Sequence, residues 1–534
     1  MTFFRPEALE FARRHLSAFY DSDFFPKPPS YEALWTRWDD VKAHLLERNV
    51  GKHASKSPRM MPSAKADHGY RIVHQLHPLD AIVYTAIACE IADAVERARR
   101  PANVACSYRI QLHKGSFFGL GTGHNIYVQR CRELAQAHAY VLVADIGDFY
   151  NKVYVHRLQS AVAHCNSSLE PISKELEGFL LALNGKMSQG IPIGPAASII
   201  CAEVLCNDID EYIDTHGYVH TRYVDDFRIF SDSDIKLRQL EEQLAGYLFE
   251  AHRLQLAWHK TSVMRSEDFV SKYLSDPDSM ERMAAKQQVI ALTVYPDRYT
   301  DEQFDAMAGL ALSPDPPAPK TKKGLAAILV QTMHETDVQR RAAVRAAAFP
   351  EILGQAMSTS RVDLALARLV LRRCRNLNVQ TLVMPVLNNL AKLAAVSPDV
   401  FLYLRHTVSE PSDEILASVR AALEAPALSY HRIVRYWLEW WVAQNASLLS
   451  DKAIRSYMLG HAAFENQARA AVTLRSLSWM RNAKSRFSEL GLWERNATLW
   501  AVKEMPSEER RKWLQSLNLQ DPTERWIGDW AREQ

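Results

Sequence analysis

Thr221-Arg-Tyr-Val-Asp-Asp-Phe-Arg-Ile-Phe230 sets two adjacent aspartates among apolar and aromatic neighbours, the pattern of a β-hairpin with both carboxylates at its tip. Burying Asp225 and Asp226 in such company is costly unless a cation neutralises them. Alone, the string reads more simply as an exposed Asp-Asp turn, so its meaning depends on what lies around it.

Upstream, Tyr140-Val-Leu-Val-Ala-Asp-Ile-Gly-Asp-Phe-Tyr150 is an apolar strand that delivers Asp145 at its end, followed by a helix-like segment at 151–158. A carboxylate there suits a divalent cation, although a helix cap or a turn would use the same residue. Gln189-Gly-Ile-Pro-Ile-Gly-Pro-Ala-Ala-Ser198 is a stiff turn that lets backbone approach a ligand closely. It leads into a helix at 199–213 with Ile200, Val204 or Leu205, Ile209 and Ile213 on one stripe; Ser198 is a cap or a contact. Further on, Asp234 could cap a helix marked by Leu237, Leu240, Leu244 and Leu248, and Leu254-Gln-Leu-Ala-Trp-His-Lys260 reads as a short strand ending in a lysine. Residues 31–50 and 79–98 read as helices. The mixture is α+β.

The whole chain has 534 residues, 47% hydrophobic and 24% charged, the balance of a globular protein of several domains. A formal charge of +2 says nothing about a nucleic-acid partner. No run of 18 apolar residues is present, and the first residues lack a signal-peptide stretch. The seven cysteines contain no CxxC and their number is odd, which fits a reducing cytosol better than a disulfide framework or a zinc site. A cytoplasmic protein without a membrane partner is expected.

Composition changes near residue 313, where Ser313-Pro-Asp-Pro-Pro-Ala-Pro-Lys-Thr-Lys-Lys-Gly324 has the stiffness of a linker. Beyond it almost everything reads as helix. Ser412-Asp-Glu, Ser507-Glu-Glu and Asp521-Pro-Thr-Glu are helix openings. Nine of the twelve tryptophans lie between Trp437 and Trp530, so packing there is aromatic. Stacked helical pairs would bury such faces, although no clean period is visible. The expected segments are an N-terminal one that opens with helices at 1–140, one holding the aspartate motifs at 141–300, a linker at 301–325 and an α-helical repeat domain at 326–534.

The order of these pieces (carboxylate strand, glycine-proline loop and helix, paired-Asp hairpin, then helix and Lys) resembles the palm of a reverse transcriptase. The likeness runs over about residues 60 to 265. It rests on the DIxxFY form of Asp145 to Tyr150, the QGxPxGPxxS form of Gln189 to Ser198, the Tyr223-Val-Asp-Asp226 box and Lys260. It implies an α+β right-hand polymerase, fingers and palm, followed by an all-α, HEAT-like C-terminal domain. It further implies an RNA-directed DNA polymerase that joins dNTPs by two-metal phosphoryl transfer. Asp145, Asp225 and, more weakly, Asp226 would bind two Mg²⁺ ions, with Mn²⁺ as substitute and the Ile146 carbonyl as a further ligand. Asp148 resembles a backbone-positioning residue instead. Tyr150 falls where the family carries a steric gate against ribonucleotides, and Tyr223 opens the box as in DNA-synthesising members. Lys65 and Arg71 bracket a turn similar to the hairpin that grips the incoming triphosphate. Ser107-Tyr-Arg109 resembles another fingers motif, which makes Arg109 a nucleic-acid contact. Gln189, Gly190 and Pro192 would shape the template and nucleotide floor, and Lys260 would protonate pyrophosphate.

A palm followed by a helical tail is similar to the abortive-infection and related antiphage reverse transcriptases. They are RNA-templated or template-independent, and often oligomeric. The expected partners are therefore dNTPs, an RNA or DNA primer-template or an associated non-coding RNA, and further copies of the chain. Protein priming would need a hydroxyl such as Tyr403, Tyr430, Tyr436 or Tyr457, each read first as a packing or surface residue. The alternatives are a retired palm serving as a nucleic-acid-binding or interaction scaffold, and a retron or group II intron enzyme.

Overall fold

Among the described residues eight strands follow one another: β1 Arg59–Ala64, β2 Tyr70–Gln75, β3 Ile110–His113, β4 Ser116–Phe118, β5 Tyr140–Asp145, β6 Val219–Tyr223, β7 Asp226–Ser231 and β8 Ser262–Arg265. The last four form one antiparallel sheet in the order β6-β7-β5-β8, while β1-β2 and β3-β4 are separate hairpins. The structure is a computed structural model that describes residues 3–18, 24–65, 69–119, 121, 123–274, 335–358 and 362–534. The linker expected at 301–325, with the adjoining ends of the palm and the helical domain, lies outside the described residues.

Strand β5 is apolar from Val141 to Ala144 because both faces are covered there. Leu142 and Ala144 enter the main core with Ile200, Val204 and Ile229, whereas Val141 and Val143 enter a smaller cluster with Cys131, Phe230 and Phe269. The sheet is thus held from both sides, and its ends are fixed in register.

The helix behind the glycine-proline turn runs Ala196–Thr215 and buries Ile200, Val204, Leu205, Ile209 and Ile213. Ser198 is not its cap. Pro195 occupies that position, and Ser198 is buried with its hydroxyl 2.9 Å from that of Tyr84. Likewise Ser233, not Asp234, caps the Asp234–Tyr247 helix through the Lys236 N–H, since Asp234 already has helical backbone. The strand expected at 254–258 shrinks to a single bridge, Ile146 with Leu256, followed by a turn that carries Lys260; pairing resumes only at Ser262.

In the C-terminal region the helices Leu364–Asn376, Ser397–Thr407, Arg432–Ala443, Phe464–Thr473, Leu492–Ala501 and Pro522–Glu533 pack each on the next. Asp413–Glu424 packs on Val383–Leu387 and on Lys452–Gly460, beside that row. Ser412 and Asp521 cap their helices as expected, while Ser507 is the first helical residue after Pro506. Most of the tryptophans here are core: Trp437, Trp440, Trp441, Trp500, Trp513, Trp526 and Trp530 are buried. The row meets the N-terminal part at several places along its length. Arg59 pairs with Glu465 at 2.9 Å and bonds the Tyr436 hydroxyl, Trp437 donates to the Phe24 carbonyl, and Arg469 donates to that of Lys27. The final helix packs on the Tyr31–Thr36 helix, Arg37 pairs with Glu533, and Trp500 and Lys503 both reach Glu32.

Candidate active site

Pairing β5 with β7 sets Asp145 directly opposite Asp226, and the β6-β7 hairpin closes through Val224 and Asp225. Three carboxylates from two distant stretches therefore meet at one end of the sheet. The two-residue turn forces Val224 to φ +58°, a conformation rare for a β-branched residue. The turn after Leu256 brings in a cation: Lys260 Nζ lies 3.0 Å from Asp145 Oδ2, and its backbone N–H is held 2.9 Å from the Ala257 carbonyl.

Burial, reinforced by the charges of Asp145 and Asp226, pushes the Asp225 carboxyl up to about 7, with Lys260 opposing. Negative charge is crowded here beyond what the protein's own cations balance. Oxygen-only donors at strand ends suit a hard divalent ion. The Asp145 carbonyl accepts the Ala257 N–H at 2.8 Å and the Gly147 N–H donates to Gln255 at 2.8 Å, with the Ile146 carbonyl between these ties. Asp145, Asp225 and the Ile146 carbonyl thus fit as donors. On Asp226, expected as the weaker ligand, Arg228 bonds both oxygens, at 2.5 and 3.0 Å, and the Tyr127 hydroxyl adds a contact at 3.4 Å. Among the described residues no group of three or more His, Cys, Asp or Glu side chains is arranged to hold a metal.

Residues 64–291 match the family model for reverse transcriptase (RNA-dependent DNA polymerase). The chain carries a reverse transcriptase domain. Its enzyme class is that of the RNA-directed DNA polymerases. Similar solved structures include telomerase from Candida albicans in complex with a TWJ fragment of telomeric RNA, at 11% identity and TM-score 0.29 over 76% of this chain and 70% of that one. Apo telomerase from Candida tropicalis matches at 9% identity and TM-score 0.31, over 76% and 74% of the two chains. No curated protein matches the sequence.

Within the reverse transcriptase domain, Tyr150 is half-buried beside Asp225; burial, then that carboxylate, raises its phenol well above the ordinary range. The Gln189–Gly194 loop is bolted beneath it. Ile191 donates to the Tyr150 carbonyl at 2.9 Å and Gly190 to that of Val153 at 2.8 Å, and Gly190 needs its hydrogen-only side chain because φ is +100°. Gln189 is exposed, whereas Pro192 is buried at the base of the loop. His74 on β2 ties the same loop to the fingers hairpin through both the N–H and the carbonyl of Ile193.

On that hairpin Lys65 is exposed. Solvent reaches Arg71, but its neighbours partly desolvate it; that burial, then Arg368, lowers its pKa, and Asp225 and Tyr150 oppose. Arg71 thus comes within electrostatic reach of the aspartates. Arg109 does not. Its guanidinium is held by Glu96 at 2.5 Å and by the carbonyls of Arg100 and Ala105. Tyr223 sits in an aromatic cluster with Tyr108, His124 and Tyr127. Asp148 is exposed at φ +53°, its carbonyl accepting the N–H groups of Asn151 and Lys152, a backbone role. The reading of the chain missed Arg228, although residues two apart on a strand share a face and its spacing from Asp226 was the available signal.

Proposed function

We propose that this chain is a DNA polymerase of the reverse transcriptase type that adds deoxynucleotides at Asp145 and Asp225, with RNA or no strand as template. The observation that carries the reading is the Asp145–Asp226 pairing with Asp225 at the hairpin tip, its carboxyl raised by burial and by Asp145. Two Mg²⁺ ions bound there, or Mn²⁺ in their place, would activate the attacking 3′-hydroxyl and steady the leaving pyrophosphate. Asp145 and Asp225 hold the charge. Asp226 acts through Arg228, which anchors the start of β7. Lys260, 3.0 Å from Asp145, is placed to give a proton to the leaving group. Tyr150 excludes a 2′-hydroxyl, Lys65 and Arg71 grip the triphosphate, and Gln189 and Gly190 form the nucleotide floor.

Nucleic acid has two surfaces to use. Trp258 is 87% exposed two residues before Lys260, its ring touched at the edge by His259 and offering a face for base stacking. Between the Gly194 loop, the 24–27 segment and the helical row lies a cavity of about 440 Å³ lined by Lys27, Arg368, Arg372 and Arg405, with Asp399 as its acid. Such a lining favours phosphates. The helical row would then serve as a HEAT-like array in place of a thumb. That architecture supports an antiphage role in the cytoplasm, with assembly into homo-oligomers. Of the four tyrosines considered for priming, Tyr430 is 77% exposed, Tyr403 and Tyr436 are hydrogen-bonded in the interior, and Tyr457 is half-buried with its hydroxyl on Glu439. The decisive experiment is incorporation of labelled dNTPs with Mg²⁺ by the wild type and by Asp225→Ala. Loss of incorporation in the variant is expected; equal incorporation by both removes the site assignment, and none by either favours the retired-palm scaffold.

A further inference from the structure

The strained turn that carries Asp225 is gripped from behind by a fully buried ionic cluster. The Val224 N–H donates to Ser107 Oγ at 3.0 Å, and the Val224 carbonyl accepts from Arg222 Nη1 at 3.2 Å. Both grips converge on one carboxylate: Ser107 Oγ donates to Glu203 Oε1 at 2.8 Å, and Arg222 Nη1 lies 2.9 Å from Glu203 Oε2. Arg99 adds a contact to Glu203 at 2.8 Å, and Asp210 holds Arg222 Nε at 2.8 and 3.0 Å. Ser107, Glu203, Asp210 and Arg222 are all wholly inaccessible to solvent.

A hairpin needs no such apparatus for stability. Apolar residues of the same volume commonly stabilise as well as a buried ion pair, or better. What the cluster supplies is geometry, because both polar groups of one peptide-flanked residue are fixed by a network whose members are themselves fixed. That residue is Val224, at φ +58° and adjacent to Asp225. Left to itself a valine would leave the left-handed region, and the carboxylate after it would turn away with the backbone.

We infer that Ser107 and Arg222, joined through Glu203, are positioning residues that clamp Val224 in its left-handed conformation and so aim the Asp225 carboxylate at the reacting centre. The inference rests on Asp225 being a metal-binding residue of the polymerase. It also gives the Ser-Tyr-Arg motif its use: Ser107 carries the function, and Arg109 is structural.

The test is Ser107→Ala in the full-length chain, read two ways: Mn²⁺ affinity by electron paramagnetic resonance without nucleotide, and steady-state dNTP incorporation. The expected result is a loss of about tenfold in Mn²⁺ affinity and of roughly ten- to a hundredfold in kcat, with KM for dNTP within about twofold. A second variant separates aim from general support. Val224→Gly adopts positive φ without a clamp, so adding it to Ser107→Ala should restore a large part of kcat. Arg222→Lys, which keeps the buried charge but loses the fork, reads the clamp from the carbonyl side and decides the matter if Ser107→Ala does not fold. Wild-type Mn²⁺ affinity and kcat in Ser107→Ala, or a kcat loss that Val224→Gly leaves unrepaired, overturns the clamp. Failure of the underlying reading looks different: Asp225→Asn would then bind Mn²⁺ and incorporate dNTPs as the wild type does.

Discussion

Replacing Asp225 by Asn removes a charge that the metal-free fold holds at a cost. Its carboxyl titrates near 7 in the folded chain, against an ordinary 3.8. Between those two values the folded state binds the extra proton, so stability falls as pH rises through the window, and the penalty is complete above it. Three pH units correspond to an upper bound of about 4 kcal/mol, and solvent at the hairpin tip brings a realistic figure to about 1–3 kcal/mol. Asp225→Asn should therefore melt higher than the wild type in a chelating buffer at pH 8, by a few degrees for a chain of this size. The gap should narrow steadily toward pH 5, where the wild-type carboxyl is already protonated. Scanning fluorimetry across that range, with EDTA throughout, measures it. A gap independent of pH, or an Asn variant less stable at pH 8, would refute the claim that Asp145 and burial crowd Asp225.

Three other perturbations follow from the same geometry. Tyr150→Ala should admit ribonucleotides, and unchanged discrimination between dATP and ATP would remove the steric-gate role. Lys260→Met leaves Asp145 without its partner and should slow single-turnover incorporation by roughly 10²-fold without affecting the melting temperature much. Arg59→Ala deprives the buried Glu465 of one of its two arginines and should cost about 2–4 kcal/mol, seen as early release of the helical row in limited proteolysis.

The motifs located the three aspartates and the lysine because short-range spacing fixes which strand end or turn each occupies. What they could not supply was pairing between side chains far apart. Glu203 interrupts an apolar stretch and Arg222 stands inside a β-rich one, and each stands out as a charge among buried neighbours. Only the fold shows that they neutralise each other. The same limit explains Arg109, whose charge is consumed by Glu96 thirteen positions earlier. Helical stacking in the tail was legible as amphipathic segments with stop signals. No period was, because successive helices in the row begin 28 to 35 positions apart, too unevenly for one to show.

The double attachment of the helical row bears on how a product strand could advance. A thumb that swings needs a single hinge; this row is pinned at its middle through Arg59 and Trp437, and again at its far end, where Trp500 and Lys503 hold Glu32 and Glu533 of the last helix pairs with Arg37. A lever fixed at two points does not pivot. For the polymerase proposed above, any adjustment to an advancing strand would then fall on the Arg-bearing cavity between the row and the Gly194 loop, and not on a swinging arm.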